Sequence, residues 1–257
     1  MLIIFDIDGV VSTNGEISAE IKKAITNLKD KNISYTFASG RSYLRCIEII
    51  KSIAPTIPLL LENGSKIIKS NGEILYSYPL NHTSLKYLGS ILHLNIDNVK
   101  YSCFSSLNNL KYYFYTSRKF YYNLKNTIKY CSTITNNINT FIAYAIKNQC
   151  TQVTIEVKDR NSFIDTDFRF EKSEKSFLHL KEKRINKGSA ILDLTKILSV
   201  PLSEIVVMGN DYNDVPMFSL NVAKKILVYE EKIDSALIPY ATQLLKQNYI
   251  ATFLNNL

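Results

Sequence analysis

Cysteine is scarce in this chain, long apolar runs are missing, and one long stretch has no acidic residue at all. The four cysteines, Cys46, Cys103, Cys131 and Cys150, are scattered over 257 residues and show neither CxxC nor Cys/His ligand spacing. A chain of this length buries enough apolar surface to fold without disulfides, so these residues read as reduced cytosolic thiols. No run of about 18 uninterrupted apolar residues occurs, and no basic segment precedes a long apolar one at the N-terminus. A soluble, cytoplasmic protein with no membrane partner is expected. Internal repeats and low-complexity linkers are also lacking. Residues 98–155 contain no Asp or Glu, yet hold seven cations: Lys100, Lys111, Arg118, Lys119, Lys125, Lys129 and Lys147. That block accounts for nearly all of the formal charge of +8. It favours an anionic partner, and a phosphorylated metabolite, a nucleic acid and a membrane surface all fit charge alone.

What is present begins with a short apolar strand at 2–5, followed by "ISAEIKKAITNLKDKN", where Ile21, Ala24, Ile25 and Leu28 recur at helical spacing behind a Ser18 N-cap. A second strand, "ISYTFA", ends at Ser39-Gly40-Arg41; a helix pattern through Leu44, Ile47 and Ile50 leads to a third apolar strand in "IPLLLENG". Strand, helix, strand, helix, strand with short connections predicts a parallel sheet with helices on its faces. "KIIKSNGEILYSY" predicts a hairpin around Asn71-Gly72. From about residue 81 the texture changes. Residues 101–144 hold eight of the 17 tyrosines and four of the 12 phenylalanines, without clean α/β alternation, which marks an inserted second domain. Strand-like "QVTIEV" and "DFRFEKSEKSFLHLKE" close it. The alternation resumes at "INKGSAILDLTKIL", then "EIVVMGND" as a core strand, "AKKILV" as another, and a C-terminal helix.

The first strand delivers Asp6 and Asp8 just before Gly9. Residues i and i+2 of a strand face one side, roughly 6 to 7 Å apart, so both carboxylates can enter the crevice at the sheet's carboxyl edge, where open α/β sheets bind ligands. Two acids so close repel and raise one pKa unless a cation compensates. Mg2+, held by carboxylates together with substrate phosphate, is the natural one; strand-end turn formers are the plain alternative. Three further polar clusters fall at the same predicted edge. Ser39-Gly40 ends a strand where a helix is predicted to begin, a phosphate seat or a simple N-cap. Lys187 starts a helix, where the macrodipole disfavours a cation unless an anion is near. "GNDYND", residues 209–214, closes a strand with oxygen donors suited to a metal or to an Asx turn.

Taken together, "FDIDGV", "FASGRS", "INKGSAI" and "GNDYNDVPMF", in this order, resemble the four motifs of the haloacid dehalogenase superfamily. The insertion between the second and third, with "LLENGS", resembles the Cof-like phosphatases of subfamily IIB, which carry a large C2-type cap. The resemblance implies an α/β, Rossmann-like parallel-sheet core over 1–80 plus 180–257 and an inserted α+β cap domain over 81–179. It implies a Mg2+-dependent phosphatase acting on a small phosphorylated metabolite. Asp6 would be the nucleophile, forming an aspartyl-phosphate, and Asp8 the acid and base. Ser39, Gly40, Arg41, Lys187 and Asn213 would hold phosphate and substrate. Asp6, Asp8, Asn210, Asp211 and Asp214 would be the metal set, with Mg2+ as cofactor.

Two departures stand out. The threonine expected after Asp-Gly is Val10, and the first acid of the fourth motif is Asn210, with Asp211 beside it. An amide oxygen ligates Mg2+ without bringing charge, so either Asn210 or Asp211 is the ligand. In the insertion, "KYYFYTSRKFYYNLKNTIKY" has the aromatics and cations of a base-stacking RNA platform. Its aromatics are expected to build the cap's small core and its lysines to line a solvated rim, with a few left to face a sugar phosphate, so nucleic acid is not the expected partner. Phosphoryl transfer to another hydroxyl, as in a mutase, uses the same core, and a non-catalytic binder of phospho-ligand or RNA is the alternative from another class.

Overall fold

A computed structural model of the chain describes residues 1–13, 15–106, 111–116, 132–165, 170–172 and 176–257. It divides into two compact units, one of Met1–Ser77 with Arg184–Leu257 and one of Tyr78–Lys183. No helix among the described residues is long and apolar enough to cross a membrane.

The first unit opens with β1 (Leu2–Phe5), whose four residues are all buried. A strand covered on both faces reads as an unbroken apolar run rather than an alternating one. Next come α1 (Ala19–Thr26), where Ser18 Oγ accepts the Ile21 N–H at 3.2 Å, then β2 (Ser34–Phe37) and α2 (Tyr43–Ile53). β2 lies parallel to β1. The segment read as a third parallel strand behaves differently. β3 (Leu59–Leu61) pairs antiparallel with β4 (Lys66–Ile68), and β4 with β5 (Ile74–Ser77), making a separate three-stranded sheet. Its link to the main sheet is a parallel bridge from Leu60 to Ala38 beyond the end of β2. The expected hairpin is the β4–β5 turn, where Gly72 takes φ +91°.

The second unit holds α3 (His82–Leu94), β6 (Val99–Ser106), β7 (Lys111–Tyr115), β8 (Ser132–Thr135), α4 (Ile138–Lys147), β9 (Gln152–Val157), β10 (Glu171–Lys172) and β11 (Phe177–Lys181). Its strands form one six-stranded sheet in the order β10-β11-β9-β6-β7-β8. Leu85, Leu88, Ile91 and Leu92 of α3 pack with Phe141 of α4 against Phe104, Val153, Ile155, Leu178 and Leu180 of the sheet. The unit is α+β, as expected for the insertion, and α3 and α4 are helices that the sequence reading does not mark between 81 and 150. The described aromatics of the 111–130 segment are buried strand residues: Tyr113 stacks on Phe104 at 5.0 Å between ring centroids, and Tyr115 sits in the same core. Residues 117–130 of that segment, with Arg118, Lys119, Lys125 and Lys129, and also Cys131, lie outside the described residues.

Back in the first unit come α5 (Lys187–Leu198), β12 (Ile205–Gly209), α6 (Val215–Phe218), β13 (Lys224–Tyr229), β14 (Gln243–Lys246) and α7 (Ile250–Asn255). The main sheet is five-stranded, ordered β14-β13-β12-β1-β2, with every pairing parallel. β1 therefore lies between β12 and β2. The residues that follow β1, β12 and β2 emerge along one edge, and the Asp6 N–H still donates to Met208 O at 2.8 Å.

Candidate active site

The two aspartates that β1 delivers lie in different environments. Asp6 is buried, whereas the Asp8 side chain is 44% exposed. Between Asp8 and the following turn, Gly9 takes φ +77°, and a Cβ built there would meet the Asn210 amide at 2.1 Å. The glycine thus serves the left-handed turn and the close approach of Asn210 from β12.

Lys187, the first residue of α5, is fully buried and donates to Asp6 Oδ1 at 2.7 Å and to Asp214 Oδ1 at 2.6 Å. A buried ammonium persists only when paired, and here two carboxylates flank it. The helix start is held by a capping box: Asn186 Oδ1 accepts the Ser189 N–H at 2.9 Å and Ser189 Oγ accepts the Asn186 N–H at 3.0 Å. A Cβ at Gly188 would lie 2.3 Å from Pro216 O, so this glycine lets α5 approach α6 closely. Asp214 is buried and committed on both oxygens: Oδ1 receives Lys187, and Oδ2 receives the N–H groups of Asn210 at 2.8 Å and Asp211 at 3.2 Å. Gly209 leaves room for that carboxylate, which a Cβ would meet at 2.5 Å. Asp211 caps the turn that follows, its Oδ1 accepting the Tyr212 N–H at 2.7 Å.

Burial pushes the Asp6 carboxyl up to about 7, against the pull of Lys187 and with the repulsion of Asp214 added. Burial works against the charge of Lys187, but Asp214 and Asp6 hold its pKa above the ordinary lysine range. The trio thus carries a firmly protonated lysine and a carboxyl whose ionisation depends on what else binds beside it.

Arg41 grips Asp8 with a fork, Nε to Oδ2 at 2.8 Å and Nη2 to Oδ1 at 2.5 Å. Bidentate guanidinium–carboxylate pairs are the strong, oriented kind. Ser39 is buried beside it, its Oγ accepting the Arg41 N–H at 3.2 Å. The expected helix start at Ser39-Gly40 is displaced: α2 begins at Tyr43 with Ser42 as N-cap, so Ser39 and Gly40 belong to the loop that precedes it.

Next to that loop stands Asn63, absent from the sequence-derived set although "LLENGS" marked its segment. A Cβ at Gly40 would lie 3.1 Å from Asn63 Oδ1, and Asn213 Nδ2 donates to the same oxygen at 3.3 Å. Glu62, Asn63 and Gly64 all take left-handed φ, +53°, +54° and +91°, in a corner where buried Lys66 donates to Glu62 Oε1 at 3.0 Å. The signal in the sequence was the Asn-Gly pair, since these two residues tolerate positive φ best.

No three His, Cys, Asp or Glu side chains cluster to hold a metal among the described residues. The oxygens of Asn210 and Asn213 are, however, buried without a hydrogen-bond partner. A buried amide oxygen left unsatisfied at the mouth of a carboxylate site is a hard donor that suits an oxygen-seeking divalent cation. With Asp6, the donor set fits Mg2+.

The chain is similar to known proteins in sequence and in fold. The sequence pattern of the haloacid dehalogenase-like hydrolases matches residues 3–225. The chain belongs to that family. Relatives and solved structures agree with this assignment. The 5-amino-6-(5-phospho-D-ribitylamino)uracil phosphatase YcsE of Bacillus subtilis is 21% identical over 227 residues, covering 84% of this chain and 79% of its own length. A haloacid dehalogenase-like hydrolase from Bacteroides thetaiotaomicron superposes with a TM-score of 0.78 at 18% identity, covering 99% of this chain and 98% of its own. The sugar phosphatase BT4131 of HAD subclass IIB follows at a TM-score of 0.76 and 14% identity, covering 99% and 98%. This haloacid dehalogenase-like hydrolase is therefore an enzyme with phosphatases among its relatives, built on their fold.

Proposed function

We propose that this hydrolase is a Mg2+-dependent phosphatase of small phosphorylated metabolites, with sugar phosphates as the substrate class, working through an aspartyl-phosphate. The observation that carries the reading is the buried Asp6–Lys187–Asp214 trio at the carboxyl edge of the parallel sheet. A carboxylate at a strand end, oriented by a lysine that is itself fixed by a second acid, is built to be a nucleophile toward an anionic centre.

Asp6 attacks phosphorus, the bond to the leaving oxygen breaks, and Asp8 gives that oxygen a proton; Asp8 then takes a proton from water, which attacks phosphorus and frees Asp6. The Arg41 fork orients the Asp8 carboxyl for both proton transfers. Ser39 and Gly40 seat the phosphoryl oxygens, and Lys187 offsets the charge shared between them and Asp6. Asn213 touches substrate from the opposite loop, while Asp214 acts by holding Lys187. Asp6, the Asp8 carbonyl and Asn210 would hold Mg2+, which when bound supplies positive charge to the transferring phosphoryl group. The inserted unit, Tyr78–Lys183, serves as the cap that selects the substrate.

The names of the relatives support a small phosphorylated substrate, since one acts on a phosphorylated ribitylaminouracil and a structural neighbour is a sugar phosphatase. Phosphate release from a panel of sugar and aryl phosphates, with and without Mg2+, tests the reading. Mg2+-dependent release that Asp6→Asn abolishes is expected. Release from none of them, or undiminished release by Asp6→Asn, overturns it. Chromatography of the products separates hydrolysis from transfer, because a mutase yields an isomerised phosphate rather than free phosphate.

A further inference from the structure

The cation cradle of this chain is short of negative charge. Of the four carboxylates near it, Asp8 is engaged by the Arg41 fork and Asp214 by Lys187 together with two backbone N–H groups. Asp211 is spent on capping its own turn. Asp6 remains, and it shares Lys187. Two oxygens are left over, Asn210 Oδ1 and Asn213 Oδ1, both buried without a partner; the Asn213 amide is tied to Asn63, whereas the Asn210 amide lies against Gly9, next to Asp8. Asn210 therefore has the right element in the right loop, and it brings no charge.

We propose that Asn210 Oδ1 is the ligand that completes this cradle, and that the missing carboxylate makes cation binding conditional on the phosphate that binds with it. The inference rests on the Mg2+-dependent reading given above. Its physical basis is charge count. Divalent-cation affinity rises with the number of anionic ligands, and Mg2+ is commonly held by one or two carboxylates plus phosphate. With one carboxylate fewer, phosphate oxygens supply a larger share of the attraction. Lys187 and Arg41 reinforce this, since they already pair with Asp6 and Asp8 and an incoming dianion would offset their charge as well. Coupling of this kind is reciprocal, so Mg2+ tightens phosphate by the factor by which phosphate tightens Mg2+.

Isothermal titration of Mg2+ into the full chain, alone and with saturating inorganic phosphate, measures the coupling without turnover. Wild type should bind Mg2+ about tenfold or more tightly once phosphate is present, and phosphate should gain by the same factor from Mg2+. Asn210→Asp should tighten Mg2+ about tenfold without phosphate and shrink the coupling, while Asn210→Ala weakens Mg2+ in both conditions. Asp211→Asn should behave as wild type. Circular dichroism confirms that each variant is folded, and the alanine variant carries the test if the aspartate one is not. Equal Mg2+ affinity in wild type, Asn210→Asp and Asn210→Ala, loss of affinity in Asp211→Asn, or no effect of phosphate on wild type overturns the inference while leaving a Mg2+ enzyme. Absence of Mg2+ binding under every condition overturns it together with the Mg2+-dependent reading.

Discussion

Replacing Lys187 by methionine isolates what the buried trio contributes. The thioether chain keeps most of the volume, so no large cavity forms; the ammonium alone is lost. Lys187 is wholly buried, with contacts of 2.7 Å to Asp6 and 2.6 Å to Asp214. Removing one partner of a buried ion pair costs about 3–5 kcal/mol, because the remaining charge has no solvent and no counter-ion. Here two carboxylates are left facing each other, so the loss is sensitive to pH. Each carboxyl has an ordinary pKa near 3.8 when the chain is unfolded, and Asp6 already stands at about 7 in the fold. A carboxyl whose folded-state pKa is raised makes the fold lose stability as pH climbs through the unfolded value, and the loss is complete above the folded one. Without Lys187, whose charge lowers it, the folded value of Asp6 rises further. Below about 7 the folded Asp6 is protonated in both proteins, so the pH-dependent part of the stability gap between wild type and Lys187→Met opens from about pH 7 upward. Urea unfolding should find the gap constant between about pH 5 and 6.5 and wider by about 1–3 kcal/mol at about pH 9. A gap below about 1 kcal/mol at the higher pH, or one equal at both, would refute the reasoning, since it would mean that the carboxylates find another partner.

Two further outcomes follow from the same geometry. Mg2+ affinity should fall as pH drops through about 7, because the cation needs Asp6 ionised and burial holds its carboxyl there; titrations in buffers of different ionisation enthalpy should show proton release near that pH, and affinity unchanged down to about pH 5.5 would contradict it. Gly188→Ala should cost about 1–3 kcal/mol in thermal or urea unfolding, as a Cβ 2.3 Å from Pro216 O forces α5 away from α6, and it should lower phosphate release by displacing Lys187; a stable, fully active variant would refute the close approach.

Much of the site was legible because its residues sit where local pattern is strongest. Asp6 ends an apolar run, Lys187 opens a periodic helix behind Asn186, and Asn210 ends another apolar run; each location follows from neighbours in sequence. Topology was harder to read. Leu59–Leu61 is as apolar as β1, but whether such a strand joins a neighbour in parallel or turns back depends on the left-handed Glu62–Gly64 corner, which sends β4 alongside it. Helix α3 was hidden by composition: Thr83, Ser84, Gly89 and Ser90 are weak helix formers, although Leu85, Leu88, Ile91 and Leu92 keep the period and Asn81 caps the start. The Arg41–Asp8 fork joins residues 33 positions apart across two loops, and no pattern within either segment announces it. Asn63 was passed over for a related reason, since its value lies in a side chain brought to Gly40 and Asn213 by an uncommon backbone.

That backbone has a consequence for anyone redesigning the protein. At φ +54° Asn63 occupies a conformation that glycine adopts with less strain, so a search for stabilising substitutions would propose glycine there. The exchange would relax the corner while deleting the amide that Asn213 holds. A variant library scored only on melting temperature would discard the residue that ties two of the loops together.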